Sequence, residues 1–220
     1  MYASSLISYS VPPLKLADTG VKASLWMNDF HVRHLPVVED GKLIGILSED
    51  EVLNFVEAES SIKDSKPFLL HSFVPGQKHL YDIMKLVVNH NLTIVPVLNN
   101  DGDYMGLITL EDLIKKLAET GSITQPGGVL VLAMEPRDYS LSEIARIIEM
   151  ENATILSSFI SSPYGQTTME LTLKLNKEDL KHIVATLERF DYQVKSSYYE
   201  SEFIDTLNDR YESLMRFLDV

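Results

Sequence analysis

Two hydroxyl–carboxylate pairs are the residues of this chain whose types and spacing could bind a small molecule. Ser48 stands three residues before Glu51, and Thr109 stands three residues before Asp112. Each hydroxyl residue ends a predicted strand and opens a predicted helix, where free backbone N–H groups and the positive end of the helix dipole favour an anion. A carboxylate one turn into the helix can accept the two hydroxyls of a vicinal diol. The same spacing also fits a helix N-cap with no ligand, so both interpretations stay open.

Both pairs lie in a segment that the chain repeats. Residues 34–48 match residues 94–109, with a Leu/Val-Pro-Val strand, an Asp-Gly turn and a second strand in each. Pro36 and Pro96 are 60 positions apart whereas Gly45 and Gly106 are 61 apart, so one residue is inserted at the turn, where hairpins tolerate it. The repeat predicts two stacked copies of one unit, each with the order helix, strand, hairpin, strand, helix. In the first copy, Val52, Leu53 and Val56 are predicted to lie on the last helix.

Composition limits the possible functions. The chain has 220 residues, is 45% hydrophobic and carries a net charge of -13, which disfavours a nucleic-acid or anionic membrane partner. It has no cysteine, which excludes disulfides, thiolate metal clusters and a cysteine nucleophile. We find no signal peptide and no apolar stretch long enough for a transmembrane helix, so a cytoplasmic protein is expected.

The second half follows another pattern, which begins after a turn-forming stretch at 120–128. We predict strands at 129–134, 154–160, 167–175 and 192–197, and helices at 141–150 and 179–190. This βαββαβ order is typical of a ferredoxin-like sandwich. Residues 163–165 are predicted to form its central turn, and Asn176 is predicted to cap its second helix.

The last residues, 200–220, carry an apolar stripe. The apolar residues at spacings of three and four are Phe203, Leu207, Tyr211, Leu214, Met215 and Leu218, and this pattern predicts an amphipathic helix that needs a partner surface. We expect this helix to pack on a neighbouring subunit of a homodimer.

The first 121 residues resemble a tandem pair of CBS domains, with copies at about 1–60 and 61–121. The resemblance depends on the doubled strand and hairpin, and on Gly-Ile-Leu-Ser48-x-x-Glu51 answered by Gly-Leu-Ile-Thr109-x-x-Asp112. Residues 127–199 resemble an ACT-like domain by element order and by a Leu-x-Glu-Ile-Ala-x-Ile-Ile helix. Together they resemble CBS-ACT proteins of the acetoin-utilisation type. The expected fold class is therefore α/β and α+β, a CBS pair followed by a ferredoxin-like domain.

The CBS resemblance implies that adenosine-containing ligands, such as AMP, ADP, ATP or S-adenosylmethionine, bind in clefts between the copies. By matching motif positions, Thr109 would contact phosphate and Asp112 would accept the ribose hydroxyls. In the first copy Ser48 is kept, but Glu51 stands where the family has Asp. The remaining nucleotide-binding candidates are the residues at and just before the two Pro-Val strands: Arg33, His34, Pro36, Val95 and Pro96.

The sequence has no motif for metal binding or for catalysis. His31-x-x-His34 has no third ligand at a metal-site spacing, so no metal site is predicted. No nucleophile elbow, phosphate loop or dinucleotide fingerprint occurs, so we predict no catalytic residues and no enzyme. The loop at 135–140 lacks the glycine of an ACT amino-acid site, although Arg137 there is a candidate anion ligand.

These observations favour a non-enzymatic regulatory module. It would bind an adenosyl ligand without a covalent cofactor and transmit the signal through the ACT-like domain to a regulated protein. The alternative is a structural dimerisation or scaffold protein whose ligand clefts are vestigial.

Overall fold

The computed structural model describes residues 1–120, 122–162 and 167–198. Its contacts divide the chain into two units, Met1–Lys116 and Leu117–Val220. The predicted turn at 163–165 and the predicted helix at 200–220 lie outside the described residues.

The first unit contains both copies of the repeat. Each copy has the predicted order of elements, because apolar residues recur every three or four positions in the helices and cluster in the strands. In the first copy these are α1 (Gly20–Asp29), β1 (His34–Glu39), β2 (Lys42–Ser48) and α2 (Glu49–Leu53). A short α3 (Ile62–Ser65) precedes the second copy, which has β3 (Val74–Pro75), α4 (Leu80–His90), β4 (Ile94–Leu98), β5 (Tyr104–Thr109) and α5 (Leu110–Thr120).

The two hairpins differ as the one-residue insertion requires. Asp40 and Gly41 both have positive φ, 48° and 75°, which is the two-residue turn that fits the twist of antiparallel strands. The second hairpin holds its extra residue with the Asn99 side chain, whose Oδ1 accepts from the Asp101 and Asp103 N–H groups at 2.9 and 2.7 Å. The strands therefore keep equivalent pairing in both copies.

Part of the segment before each copy pairs with the sheet of the other copy. The Ser8 N–H donates to the Leu107 carbonyl at 2.8 Å, so the N-terminal segment lies on the second copy's sheet. Leu70, between the copies, exchanges two 3.0 Å backbone hydrogen bonds with Ile46 of the first copy. Each sheet therefore carries the segment that precedes the other copy.

The repeated glycine lies where these segments cross. A Cβ atom on Gly45 would stand 2.7 Å from the Leu69 Cβ, and one on Gly106 would stand 2.5 Å from the Ile7 Cγ2. Gly106 also has φ 147°, which L side chains rarely adopt. The duplicated glycine thus allows close backbone approach at equivalent points of both copies.

The second unit is a four-stranded antiparallel sheet with two helices. Its elements are β6 (Val129–Met134), α6 (Leu141–Met150), β7 (Ile155–Ser161), β8 (Met169–Leu175), α7 (Lys181–Arg189) and β9 (Gln193–Tyr198). The strand order is β7-β8-β6-β9, with every neighbouring pair antiparallel, which is the ferredoxin-like arrangement. Leu130, Leu132, Leu171, Leu173 and Ile147 belong to its fully buried core.

Two local predictions were wrong. The helix expected to include Val56 ends at Leu53, and Val56 is fully exposed. The chain turns away there because the Ala58 carbonyl accepts from the Val21 N–H at 3.0 Å, which caps the start of α1.

Asn176 does not cap α7, which begins at Lys181. Its Oδ1 instead accepts the Thr154 N–H at 2.7 Å, across from the start of β7. The N-cap of α7 is Leu180, and Asp179, the residue before it, accepts the Lys181 N–H through its Oδ1 at 3.0 Å.

Candidate functional site

Thr109 and Asp112 lie together in one cleft of the first unit, which we call the Thr109 cleft. Its volume is about 570 Å³. The second copy supplies the end of β5 and the first turns of α5, and the first copy supplies the turn between α1 and β1. The lining consists of Ser8, Ser10, Val11, Phe30, His31, Val32, Thr93, Thr109, Leu110, Glu111, Asp112, Ile114 and Lys115.

The Thr109 hydroxyl and the Asp112 carboxylate form a hydrogen bond with each other. The hydroxyl donates to Asp112 Oδ2 at 2.7 Å and accepts the Asp112 N–H at 3.0 Å, so Thr109 also caps α5. Thr109 is 8% exposed. An ionised carboxylate has about four lone-pair positions, so Asp112 keeps acceptor capacity for ligand hydroxyls besides the Thr109 bond.

Sequence reasoning missed the N-terminal and α1-end parts of this cleft. The Ser8 and Ser10 hydroxyls lie 2.9 Å apart at its rim, and Phe30 and Val32 add apolar surface. The available signal was the repeat itself, because two stacked copies bring the start of one copy beside the end of the other. No sequence motif predicts that Ser8 lines the cleft. It reaches the cleft because the N-terminal segment pairs with the second copy's sheet at Leu107.

The charged side chains of the Thr109 cleft are two carboxylates and one ammonium group, so the lining has one excess negative charge. Its charged side chains are Glu111, Asp112 and Lys115, and Lys115 Nζ lies 2.6 Å from Glu111 Oε1. This hydrogen bond and the charge of Glu111 raise the pKa of Lys115. The lining therefore offers hydroxyls, apolar surface and the Asp112 carboxylate beside an ion pair, which suits a ligand of low negative charge.

An equivalent cleft in the first copy surrounds Ser48, and we call it the Ser48 cleft. It measures about 360 Å³ and is lined by Arg33, His34, Ser48, Glu49, Asp50, His90 and Asn91. Three predicted binding residues, Arg33, His34 and Ser48, therefore meet here. The His31 and Asn91 backbones have matching left-handed φ values of 53° and 50°, so the turn after the first helix of each copy is the same.

Glu51 is held outside this lining. Its Oε2 accepts a hydrogen bond from the Phe68 N–H at 2.9 Å, and Phe68 belongs to the segment between the two copies. Ser48 still caps α2 by accepting the Glu51 N–H at 3.2 Å. Both hydroxyls therefore cap a helix and line a cleft, but of the two carboxylates only Asp112 belongs to a cleft lining.

His34 connects the two clefts. The Thr93 N–H donates to His34 Nδ1 at 3.3 Å, and Thr93 Oγ1 lies 3.0 Å from the same nitrogen. Thr93 lines the Thr109 cleft while His34 lines the Ser48 cleft. Burial, followed by the nearby Arg33 charge, lowers the pKa of His34 despite the opposing effect of Asp50. Protonation of Nδ1 would remove the acceptor for the Thr93 N–H, while the Arg33 N–H would still donate to Thr93 Oγ1, at 3.0 Å.

The remaining predicted binding residues lie within the strands. Pro36, Val95 and Pro96 are buried and pair with Ile46, Ile108 and Leu107 respectively. They are not part of the linings of the two clefts. Their role as ligand contacts stays a prediction.

The two histidines of His31-x-x-His34 belong to different surroundings. His31 lines the Thr109 cleft and His34 lines the Ser48 cleft. Across residues 1–120, 122–162 and 167–198, no three His, Asp or Glu side chains are grouped to hold a metal ion.

A further cleft of about 710 Å³ lies in the second unit, near the loop after β6. Arg137 is there, but its Nε lies 2.9 Å from Glu135 Oε2 and 3.7 Å from Asp138 Oδ1. Tyr192 donates to Glu143 at 3.0 Å, and burial followed by this contact raises the pKa of Tyr192 to about 12. The acidic neighbours of Arg137 disfavour the anion site suggested by its sequence position.

The CBS domain family model matches residues 23–58 and 65–119. These two matches confirm the predicted CBS domain pair in the first part of the chain, and the mixed α/β fold agrees with it. In the part of the chain that the structure describes, no helix is long and apolar enough to cross a membrane.

Curated relatives match only in part. Inosine-5′-monophosphate dehydrogenase of Bifidobacterium longum is 29% identical over 91 residues, and that of Thermoplasma acidophilum is 25% identical over 125 residues. These alignments cover 39% and 56% of this chain but 16% and 24% of the relatives. The likeness concerns the CBS part and not a whole dehydrogenase.

Solved structures are similar over about half of the chain. A CBS domain pair/ACT domain protein from Thermotoga maritima is 19% identical, with a TM-score of 0.49, over 54% of this chain and 98% of that one. A structure of CBSX2 in complex with AMP is 17% identical, with a TM-score of 0.47, over 54% of this chain and 96% of that one.

Proposed function

We propose that the chain is a non-enzymatic regulatory module that binds an adenosine-containing ligand in the Thr109 cleft. The observation that carries the proposal is that Thr109 and Asp112 face a cleft built by both copies of the CBS pair. The ribose hydroxyls would donate to the Asp112 carboxylate and replace its bond from Thr109. The Thr109 hydroxyl would then donate to a phosphate or its equivalent, and Phe30 and Val32 would contact the base.

Regulation would follow from the position of the site between two copies. A ligand that contacts residues of both copies stabilises the arrangement in which those residues are close, and so shifts the population toward it. In this proposal the ACT-like domain at 127–199 transmits the change to a regulated protein, and the chain acts as a homodimer. The ligand binds as a regulator and not as a covalent cofactor.

Thermal unfolding against AMP, ADP, ATP, S-adenosylmethionine and NAD tests the proposal. A ligand at a hundred times its Kd adds about 2.7 kcal/mol to the free energy of unfolding. For a chain of this size, that is a Tm rise of roughly 5–10 °C. The excess negative charge of the lining predicts a larger rise with AMP or S-adenosylmethionine than with the more highly charged ATP.

Asp112→Asn should reduce the ligand-induced rise in Tm to about half or less, and Asp82→Asn serves as a matched control in the first turn of α4. Asp82 is an exposed helical carboxylate outside the Thr109 and Ser48 clefts. An equal rise for parent and Asp112→Asn would remove the proposed site.

The second candidate function is a scaffold with vestigial clefts. Two observations favour it: Thr109 and Asp112 already satisfy each other as a helix cap, and Glu51 is engaged by Phe68. If none of the adenosyl compounds raises Tm, the scaffold function becomes the better explanation and protein partners should be sought instead.

A further inference from the structure

The contact between His34 and Thr93, which we call the His34–Thr93 junction, joins the two copies of the first unit. The Thr93 N–H donates to His34 Nδ1 at 3.3 Å, and Thr93 Oγ1 lies 3.0 Å from the same nitrogen. A backbone N–H can only donate, so Nδ1 carries no proton here and the proton of the neutral ring is on Nε2. This hydrogen bond between the copies therefore requires the neutral form of His34.

Thr93 connects the junction to the Thr109 cleft. Its carbonyl accepts the Leu110 N–H at 2.9 Å, and Leu110 is the first residue of α5 and directly follows Thr109. Thr93 and Leu110 both line the Thr109 cleft. A continuous series of hydrogen bonds thus leads from His34 in the first copy to the helix that carries Asp112 in the second, and such a series can carry energetic coupling.

The titratable group of the junction is present in one copy only. In the first copy the Arg33 carbonyl accepts the Glu49 N–H at 2.9 Å, at the start of α2, and the Arg33 N–H donates to Thr93 Oγ1 at 3.0 Å. The residue that matches His34 in the second copy is Ile94, which is fully buried and has no proton to exchange. A change of pH therefore acts on the junction from the side of the first copy.

The surroundings of His34 determine when it is protonated. The charged and titratable side chains that line the Ser48 cleft with it are Arg33, Glu49, Asp50 and His90. Burial, followed by the charge of Arg33, lowers the pKa of His34, and the charge of Asp50 opposes this. At neutral pH the ring is therefore neutral and accepts the hydrogen bond, whereas mildly acid conditions protonate it.

Protonation of His34 changes the hydrogen bonds of the junction. The charged ring can donate from Nδ1 to Thr93 Oγ1, which has two lone pairs and also accepts the Arg33 N–H. The Thr93 N–H, however, loses its acceptor, and a partly buried backbone donor without a partner is unfavourable. The two copies are therefore held together less strongly at this point when His34 is charged.

We propose that His34 is a pH-dependent link between the two copies and that its protonation weakens ligand binding in the Thr109 cleft. A ligand that contacts residues of both copies stabilises the arrangement in which the junction is formed, so it favours neutral His34. Linkage is reciprocal, so protonation lowers the affinity for that ligand by the same factor. Loss of one hydrogen bond corresponds to a decrease of about 2- to 10-fold. The effect on affinity rests on the proposed function, whereas the pH dependence of the junction does not.

NMR of the full-length chain without ligand tests the junction. The ring ¹⁵N shifts of His34 report its protonation, and the amide shifts of Thr93 and Leu110 are followed from about pH 8 to about pH 5, which spans the ordinary pKa of histidine. Both amides should titrate together with His34. His34→Asn keeps an acceptor oxygen near the position of Nδ1 but does not titrate, so it should abolish this dependence.

His71→Asn is the matched control for the substitution. His71 is an exposed histidine of the first unit and lies outside the linings of the Thr109 and Ser48 clefts. The Thr93 and Leu110 amides of this variant should titrate as they do in the parent. The parent's own titration needs no substitution, so it decides the matter even if a variant does not fold.

Isothermal titration calorimetry with AMP tests the effect on the Thr109 cleft. The phosphate of AMP itself titrates at about pH 6, so the parent is compared with His34→Asn, in which this contribution is the same. Between about pH 8 and about pH 5, the affinity of the parent should fall about 2- to 10-fold more than that of His34→Asn. His71→Asn should behave as the parent does.

Two results would overturn the proposal. One is that the Thr93 and Leu110 amides do not titrate with His34, and the other is that AMP affinity has the same pH dependence in the parent and in His34→Asn. If AMP binds at neither pH while both amides still follow His34, the proposed function fails and the pH-dependent junction is supported.

Discussion

The Thr109 and Ser48 clefts are built from equivalent segments of the two copies, yet their carboxylates have different partners. Asp112 is bonded to the hydroxyl of its own helix cap and stays in the cleft lining. Glu51 is one methylene longer and reaches the Phe68 N–H outside the lining. The difference shows that a duplicated motif can keep the same backbone in both copies while the side-chain partners within it differ.

The largest expected effect distinguishes the two clefts by ligand affinity. Asp112→Asn should weaken binding of the adenosyl ligand by about 10- to 100-fold, because hydrogen bonds to a charged group contribute about 1.5–3 kcal/mol. Glu51→Gln should leave affinity unchanged. Isothermal titration calorimetry of parent and both variants measures this, and the parent should bind one ligand per chain. Two ligands per chain, or equal losses in both variants, would contradict the comparison.

The two helix caps should differ in their effect on stability. Thr109→Ala removes a buried hydroxyl with two hydrogen bonds and should lower the free energy of unfolding by about 1–2 kcal/mol. Ser48→Ala removes one cap bond and should cost about 0.5–1 kcal/mol. Chemical denaturation measures both values, and Thr109→Ser should retain most of the parent's stability. A larger loss from Ser48→Ala would show that the first-copy cap is the more important one.

The Glu51 contact should matter for stability and not for binding. Glu51→Ala removes the acceptor for the Phe68 N–H and should destabilise the protein by about 1 kcal/mol, which is a Tm decrease of roughly 2–4 °C. Glu51→Gln keeps an acceptor oxygen and serves as the control. If Glu51→Ala instead abolished ligand binding with Tm unchanged, the Ser48 cleft would be the functional one.

A smaller effect, on pH dependence, tests the link between the clefts. Because the pKa of His34 is lowered in the folded state, the unfolded chain binds more protons, and stability falls as pH decreases below the ordinary value of 6.5. Above that value the contribution is fully present. His34→Gln should flatten this part of the pH–stability curve, whereas the exposed His182→Gln should not. An unchanged slope in His34→Gln would exclude His34 as its source.

The sequence was sufficient to predict the elements and their order, because those depend on local periodicity and on the repeat. The CBS pair was predicted from the doubled strand, hairpin and hydroxyl–carboxylate motif, and the βαββαβ order from alternating patterns. Helix ends were predicted less well, because the contacts of Asn176 with Thr154 and of Ala58 with Val21 join residues far apart in the chain.

Only the residues of the candidate site that belong to the repeated motif were predicted from the sequence. Thr109 and Asp112 carry a local pattern, but Ser8 and Phe30 reach the cleft through the packing of one copy on the other. The diversion of Glu51 to Phe68 was equally invisible, because a 17-residue separation lies between them. Side-chain partners set by tertiary packing leave no periodic signal in a single sequence.

The crossing of the leading segments has a consequence for how the protein is made. Ser8 pairs with Leu107, so the strand-like segment at Ser8 leaves the ribosome about a hundred residues before its partner is synthesised. At about 5–20 residues per second, that wait lasts roughly 5–20 s. The segment must therefore stay soluble and unpaired during translation, and the first copy cannot complete its native contacts before the second copy exists.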